Sequence, residues 1–202
     1  MKNSTMLFTL LLTVPLAFCP ALAVAEPLAA CAFAPRPAAT PTREITSFAN
    51  CGTEKSDGTA EIAAGPFAEL DFSHDGLASI RLGEHFYYLR KDGRSARVPA
   101  WDNWADDFAE GLVRTVRGIE GAEKFGYLDR ELAVVIAPLF DFAYPFEGGR
   151  ALVCIGCRAG APDGDGHSMV SGGLWGYVDR TGKAIVPVKF SREELMKQTD
   201  RD

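Results

Sequence analysis

The sequence predicts an all-β protein, a single domain of antiparallel stacked β-hairpins or meanders built by repetition. Three observations predict it. The stretches Phe86-Tyr-Tyr-Leu-Arg-Lys-Asp-Gly93, Phe125-Gly-Tyr-Leu-Asp-Arg-Glu-Leu132 and Trp175-Gly-Tyr-Val-Asp-Arg-Thr-Gly182 share an aromatic, a Tyr two positions later and an apolar residue after that. A second aromatic stands at the same distance from each leading one, at Trp101, Phe140 and Phe190, with Pro99, Pro138 and Pro187 just ahead of it. Between the two aromatics lies an Asp- or Gly-bearing turn, flanked by apolar runs. Self-similarity at an interval of a few tens of residues is the mark of a repeat architecture.

The N-terminal segment stands apart from the repeats. Lys2 precedes an almost uncharged apolar run from Leu7 to Val24, and Ala23-Val24-Ala25 stands ahead of Glu26-Pro27. A basic start, a short apolar core and an A-x-A site predict a secretory signal peptide over residues 1–25, cleaved after Ala25. The competing reading is a membrane anchor, but Pro15 and Pro20 interrupt the segment, which is at the short limit for spanning. A lipoprotein signal fits poorly, because Phe18 stands before Cys19 where a small residue is wanted. Lys2 is the one charged side chain removed, so 21 basic and 27 acidic become 20 and 27, a net of −7. Nothing later in the sequence is apolar enough to span a bilayer, so the expected product is periplasmic or secreted, without membrane insertion after cleavage. The net charge is an ordinary solubility-favouring value and argues against a nucleic-acid partner and against binding to an anionic membrane surface.

Residues 26–66 are rich in Ala, Pro, Thr and Gly and read as a loosely structured leader. Removal of the signal takes Cys19 with it and leaves Cys31, Cys51, Cys154 and Cys157. An even count in an oxidising compartment predicts two disulfides. Four cysteines allow three connectivities, and sequence proximity favours Cys31–Cys51 and Cys154–Cys157.

Within the third unit, strand alternation sends Trp175 and Tyr177 to one face and Gly176 and Val178 to the other. Asp179 to Gly182 supplies the turn, Gly182 being free to take positive φ. Ala184 to Val186 returns as the second strand and Pro187 ends its pairing. Phe146-Glu-Gly-Gly149 and Phe108-Ala-Glu-Gly111 then lead into third strands at Arg150 to Ile155 and Leu112 to Arg117. The predicted repeat core is Phe86, Tyr88, Trp101, Phe125, Tyr127, Phe140, Trp175, Tyr177 and Phe190. A unit this small cannot bury its aromatic face alone, so neighbours must stack on it. The tail, residues 191–202, is highly charged.

These residues resemble the WG-repeat (KWG-repeat) family, whose units typically read W-G-Y-I-D-x-x-G-x-x-V-I-P-x-x-F-D-x-A-x-x-F-x-x-G-x-A. The last copy follows that pattern through Phe190 and the middle copy from Phe125 through Ala151, with Leu132 in place of the turn Gly. The first copy has Tyr87 where the family has Gly. The resemblance covers residues 67–190. It implies a β-repeat domain and no particular chemistry.

Candidate chemistry is sparse. Ser73-His74-Asp75 holds the residue types of a hydrolase triad, but consecutive residues cannot form one, since the His must bridge groups the fold brings together. A polar turn is the better reading. Asp102, Asp106, Asp107 and Glu110 cluster around Trp101 and Trp104, a mix that can hold a cation or a sugar but more often forms a solvated loop. The sequence contains no nucleophile elbow, phosphate loop, H-E-x-x-H or dinucleotide fingerprint.

The interval from Phe125 to Trp175 is longer than that from Phe86 to Phe125, and the excess falls in Cys154 to Gly173. An insertion on a repeat scaffold projects as a loop, and such loops often form binding faces. This one gathers Asp163, Asp165 and His167 beside Cys154 and Cys157. A structural staple, a metal site completed by His167 and a redox pair are the three readings of those cysteines. Redox chemistry needs a helix N-terminus that the local sequence does not offer. A zinc site needs a fourth ligand, which is likewise missing nearby. The expectation is therefore an exported, non-enzymatic binding or protein-interaction module with no cofactor, whose partner is another envelope or extracellular protein. The alternative is a redox or metal-binding protein centred on Cys154-Ile-Gly-Cys157.

Overall fold

The computed structural model describes residues 28–34, 44–119, 121–161, 164 and 168–199. The first strands are β1 (Ala29–Phe33), β2 (Thr46–Glu54) and β3 (Ala60–Ile62), followed by a one-turn helix α1 (Ala64–Ala68). Next come β4 (Leu77–Leu82), β5 (His85–Arg90) and β6 (Ser95–Val98). These six strands form one antiparallel sheet in the order β3-β2-β1-β4-β5-β6. Its two edges approach each other. Arg97 N–H donates to the Gly58 carbonyl at 2.9 Å, and the Ser95 hydroxyl accepts from Ala60 N–H and donates to the Ala60 carbonyl, both at 2.7 Å. A side chain thus substitutes for ladder bonds where the sheet curls closed. The enclosed face carries Phe33, Cys51, Ile80, Leu82, Tyr87 and Leu89, all buried. Phe67 of α1 packs against the same cluster.

In place of a loosely structured leader over residues 26–66, the described part of that segment supplies three of the six strands. Composition concealed this. The apolar positions Cys31, Phe33 and Cys51 are buried by β4 and β5, which lie well beyond them in the chain, so no local pattern of their own marks them. Cys31 and Cys51 are disulfide-bonded, with Cα atoms 5.5 Å apart.

The rest of the chain builds smaller antiparallel sheets. A short hairpin joins β7 (Ala100–Trp101) and β8 (Trp104–Ala105). Strands β9 (Val113–Ile119), β10 (Ala122–Leu128) and β11 (Val134–Phe140) form a three-stranded sheet in the order β11-β10-β9. Strands β12 (Phe142–Ala143), β13 (Arg150–Ala159), β14 (Val170–Asp179) and β15 (Ala184–Phe190) form a four-stranded one in sequence order. Helix α2 (Arg192–Thr199) comes last.

The sheets stack as the repeat requires. Phe86 and Tyr88, on the outer face of the first sheet, pack with Val113 and Leu128 of the second. Tyr127, Ile136 and Phe140 of the second pack with Ala151, Val153 and Val178 of the third. Trp175 of the third packs with Leu195 of α2. The aromatic face of each inner sheet thus meets the back of the next, and a helix covers the Trp175 part of the last.

The hairpins differ in register. In the second sheet Phe125 pairs with Phe140, Tyr127 with Ile136 and Leu128 with Val134. In the third, Trp175 pairs with Phe190, Tyr177 with Val186 and Val178 with Ala184, with shifts at the same places. The returning strand bulges over the central glycine. A Cβ on Gly126 would lie 2.5 Å from the Ile136 carbonyl oxygen, and one on Gly176 would lie 2.5 Å from that of Val186. Only glycine admits a crossing backbone that close. Tyr87 fills the corresponding position of the first hairpin with a side chain buried in the enclosed core, and the register there is regular: Phe86 pairs with Val98.

That corrects the expectation for Trp101. Without the bulge, Trp101 lies past Val98, the partner of Phe86, and it is 43% exposed at the short hairpin instead of joining the core. Tyr127, Phe140 and Trp175 are buried, while Phe86, Tyr88, Phe125, Tyr177 and Phe190 are half-buried. The turn at Leu132 keeps the geometry of its counterparts. Leu132 takes φ 58°, against 87° at Gly93 and 85° at Gly182, and its N–H donates to the Asp129 carbonyl. Contact with the core between the first and second sheets offsets the strain of a left-handed leucine.

Candidate functional site

Each inner junction is built from one pattern of rings. Phe86 meets Trp104 and Phe125 meets Phe142, both with centroids 5.3 Å apart. Tyr88 meets Phe108 at 5.1 Å and Tyr127 meets Phe146 at 4.8 Å. The tyrosine hydroxyl then donates to a backbone carbonyl two positions before the covering phenylalanine: Tyr88 to Asp106 at 3.0 Å and Tyr127 to Tyr144 at 2.7 Å. Burial pushes the Tyr88 hydroxyl up to about 12, and burial raises Tyr127 as well. The Phe-x-x-Gly segment of the next unit is therefore what covers each inner tyrosine.

The third unit is covered differently. After Phe190 the chain reads Ser191-Arg192-Glu193-Glu194, not Asp-Phe-Ala. Ser191 and Glu194 form a reciprocal capping box: the Glu194 carboxylate accepts from Ser191 N–H at 2.8 Å, and the Ser191 hydroxyl accepts from Glu194 N–H at 3.2 Å. The chain turns into α2. Arg192, which holds the place of Phe142, stacks its guanidinium over the Trp175 ring at 5.1 Å and donates to the Tyr144 hydroxyl at 3.1 Å. Leu195 is buried against Trp175. Met196, in the place of Phe146, is 61% exposed where Phe146 is 4% exposed.

Tyr177 consequently lacks the cover its counterparts have. Its hydroxyl finds no partner among the described residues. The Arg150 guanidinium lies over its ring, 4.6 Å from the centroid. A groove of about 560 Å³ opens here, lined by Tyr144, Leu152 and Tyr177, with Arg150 and Glu147 on its rim. Among the described residues, neither Arg150 nor Arg192 makes an ion pair.

The insertion after Cys154 proves to be in part an extension of the sheet. Strands β13 and β14 continue their pairing through Cys157–Gly172, Arg158–Ser171 and Ala159–Val170. Cys154 and Cys157 are disulfide-bonded within β13, with Cα atoms 6.1 Å apart, and both are buried. A Cβ on Gly173 would lie 2.7 Å from Cys154 Sγ, so the bridge needs glycine opposite it. Neither cysteine begins a helix, the setting that depresses a thiol pKa. Asp141 ties the extension to the second sheet, accepting from Lys124 Nζ at 2.5 Å and from Gly156 N–H at 2.7 Å. The predicted loop residues Asp163, Asp165 and His167 lie outside the described residues.

Other sequence candidates disperse. The Ser73 hydroxyl donates to Asp75, which pairs with Arg130, so Ser73-His74-Asp75 is a polar turn. Of the acidic cluster, Asp106 is buried in a two-point pair with Arg114, at 2.6 and 2.9 Å, and Glu110 accepts from Gly149 N–H at 3.0 Å. These carboxylates join units together. Among the described residues, no three His, Cys, Asp or Glu side chains gather as a metal site. A larger cavity, about 620 Å³, lies between the first and second sheets, but Lys55 and Arg94 at its edge are already paired with Glu61 and Asp92. The open face over Tyr177 is absent from the sequence-based expectations, although its signal is present in the break from Phe-Asp-Phe-Ala to Phe-Ser-Arg-Glu.

Residues 125–156 and 175–192 match the family described as WG containing repeat. The first hairpin, with Tyr87 and its regular register, falls outside the matched residues. No curated protein and no solved structure matches the chain.

Proposed function

We propose that this chain, a protein carrying WG-containing repeats, is exported by the segment 1–25 and acts as a non-catalytic protein-interaction module in the periplasm or outside the cell. The two disulfides are compatible with that location, and no helix among the described residues is long and apolar enough to cross a membrane. The observation that carries the proposal is the unequal cover of equivalent tyrosines. Tyr88 and Tyr127 are each met by a phenylalanine and a carbonyl from the next unit, whereas Tyr177 faces a groove. A repeat array that stops with an uncovered aromatic face offers the kind of surface a partner protein buries.

Capture from envelope fractions tests the reading, using the mature, oxidised chain beside its Arg150→Glu variant. Arg150 is exposed, so the variant keeps the fold. The expected result is a protein held by the parent chain and released by the variant. A parent chain that holds nothing, or a partner held equally by both, overturns it.

A further inference from the structure

We infer that the groove over Tyr177 takes an extended acidic peptide segment of a partner protein, in which an aromatic side chain stands two positions after the carbonyl that accepts the Tyr177 hydroxyl. The inference rests on the interaction-module reading and specifies the ligand for the same face.

The molecule itself supplies two worked examples of that contact. At each inner junction the residue whose carbonyl accepts the tyrosine hydroxyl, Asp106 or Tyr144, is followed two positions later by the ring that packs on the tyrosine, Phe108 or Phe146. The tyrosine keeps the same place on the middle strand of each hairpin, while its direct cross-strand partner changes: Ser79 for Tyr88, Arg114 for Tyr127 and Leu152 for Tyr177. The third sheet therefore presents the tyrosine of an inner junction without the segment that covers it elsewhere. Helix α2 covers the Trp175 half, through Arg192 and Leu195, and leaves the Tyr177 half to the groove.

Charge selects among the segments that could fill it. Arg150 lies over Tyr177 and Arg192 over Trp175 and Tyr144, and neither has a carboxylate partner among the described residues. Glu147 is the acidic side chain among the groove's lining residues. Two guanidinium groups stacked on rings, that of Arg150 at the groove itself and that of Arg192 over the neighbouring Trp175, suit a peptide that brings carboxylates next to its aromatic anchor. The segment that covers Tyr88 has this composition: Trp104-Ala-Asp-Asp-Phe108-Ala-Glu-Gly-Leu112.

The probe is the synthetic peptide WADDFAEGL, added to the mature, oxidised protein and followed by fluorescence polarisation of a label on the peptide. Saturable binding is expected, weakened at least tenfold by alanine in place of the peptide's phenylalanine and at least tenfold by Arg150→Glu in the protein. Tyr177→Phe keeps the ring, so it preserves packing and removes only the hydroxyl; a loss of threefold or more is expected. No saturable binding, or binding indifferent to both the peptide's phenylalanine and Arg150, overturns the inference. So does concentration-dependent self-association of the protein abolished by Arg150→Glu, which would make a second copy the occupant. A failure here, with envelope capture still sensitive to Arg150→Glu, would sink the peptide chemistry and leave the interaction module standing.

Discussion

Two four-residue stretches occupy the same place in consecutive units and end them in opposite ways. Phe140-Asp141-Phe142-Ala143 leads from the second sheet into the third, and Phe190-Ser191-Arg192-Glu193 leads from the third into a helix. The phenylalanine is delivered by the same bulged register in both. The residues after it decide the outcome. Phe142 pairs with Phe125 and begins a new strand, while Ser191 caps α2 and Arg192 stacks on Trp175. The array continues where the chain offers a second ring and stops where it offers a capping box. The stop is incomplete, because one helix covers the leading aromatic and leaves the tyrosine two positions later open. A terminal repeat needs a polar outer face for solubility, and here two arginines over aromatic rings provide part of it.

Breaking the terminal junction should have the largest effect. Trp175 is fully buried beneath Arg192 and Leu195, and Trp175→Ala should cost about 3–5 kcal/mol through lost burial and a cavity. Trp101, 43% exposed with the buried Arg114 guanidinium stacked on its ring, should lose less on replacement by alanine, about 1–2 kcal/mol. Denaturant midpoints of the two variants measure the contrast. Equal losses would show that the first hairpin packs like the others, and the distinction between them would collapse.

Gly176→Ala probes how both junctions are reached. The new methyl would meet Val186 O at 2.5 Å and Pro187 C and O at 2.7 Å, all backbone. The bulge must shift or open, at about 1–3 kcal/mol. The loss of the Phe190 register should also release α2, read as faster amide exchange over residues 192–199. A variant of unchanged stability would mean that the bulge is not what glycine is there to permit.

The same glycines mark the limit of what is legible in the sequence. The ring positions, the turns, the antiparallel pairing and both cysteine pairs follow from local spacing, because each contact lies within one hairpin or between chain neighbours. Trp101 departs from its expected place because equal spacing between aromatics does not guarantee equal register. Tyr87 removes the bulge, and Phe86 then pairs with Val98 instead of reaching Trp101. The strands at 29–33, 46–54 and 60–62 are hidden for another reason. Their burial depends on a sheet closing on itself through Ser95 and Gly58, a long-range event that leaves no period in an Ala- and Pro-rich stretch. The groove over Tyr177 is legible only after the inner junctions show what covers a tyrosine at that position.

Asp141 offers the finest test of the comparison, because its counterpart in the terminal stretch is Ser191. Partial burial works to raise the Asp141 carboxyl, but the hydrogen bonds from Lys124 and from Gly156 N–H, with the Lys124 charge, outweigh it and hold the pKa below the ordinary value. A depressed folded pKa means that the ionised form is favoured by the fold. The contribution is then complete above the unfolded carboxyl pKa of about 3.9 and is lost as pH falls through the lower folded value. Asp141→Asn should therefore cost about 1 kcal/mol at pH 7, since the site is partly open to solvent and the amide retains one acceptor. That gap should hold steady down to about pH 5 and then narrow, as the parent carboxylate takes up its proton and becomes a neutral group like the amide. Thermal midpoints of the pair across this range decide it. A gap that widens in acid would mean that Asp141 is raised by burial instead.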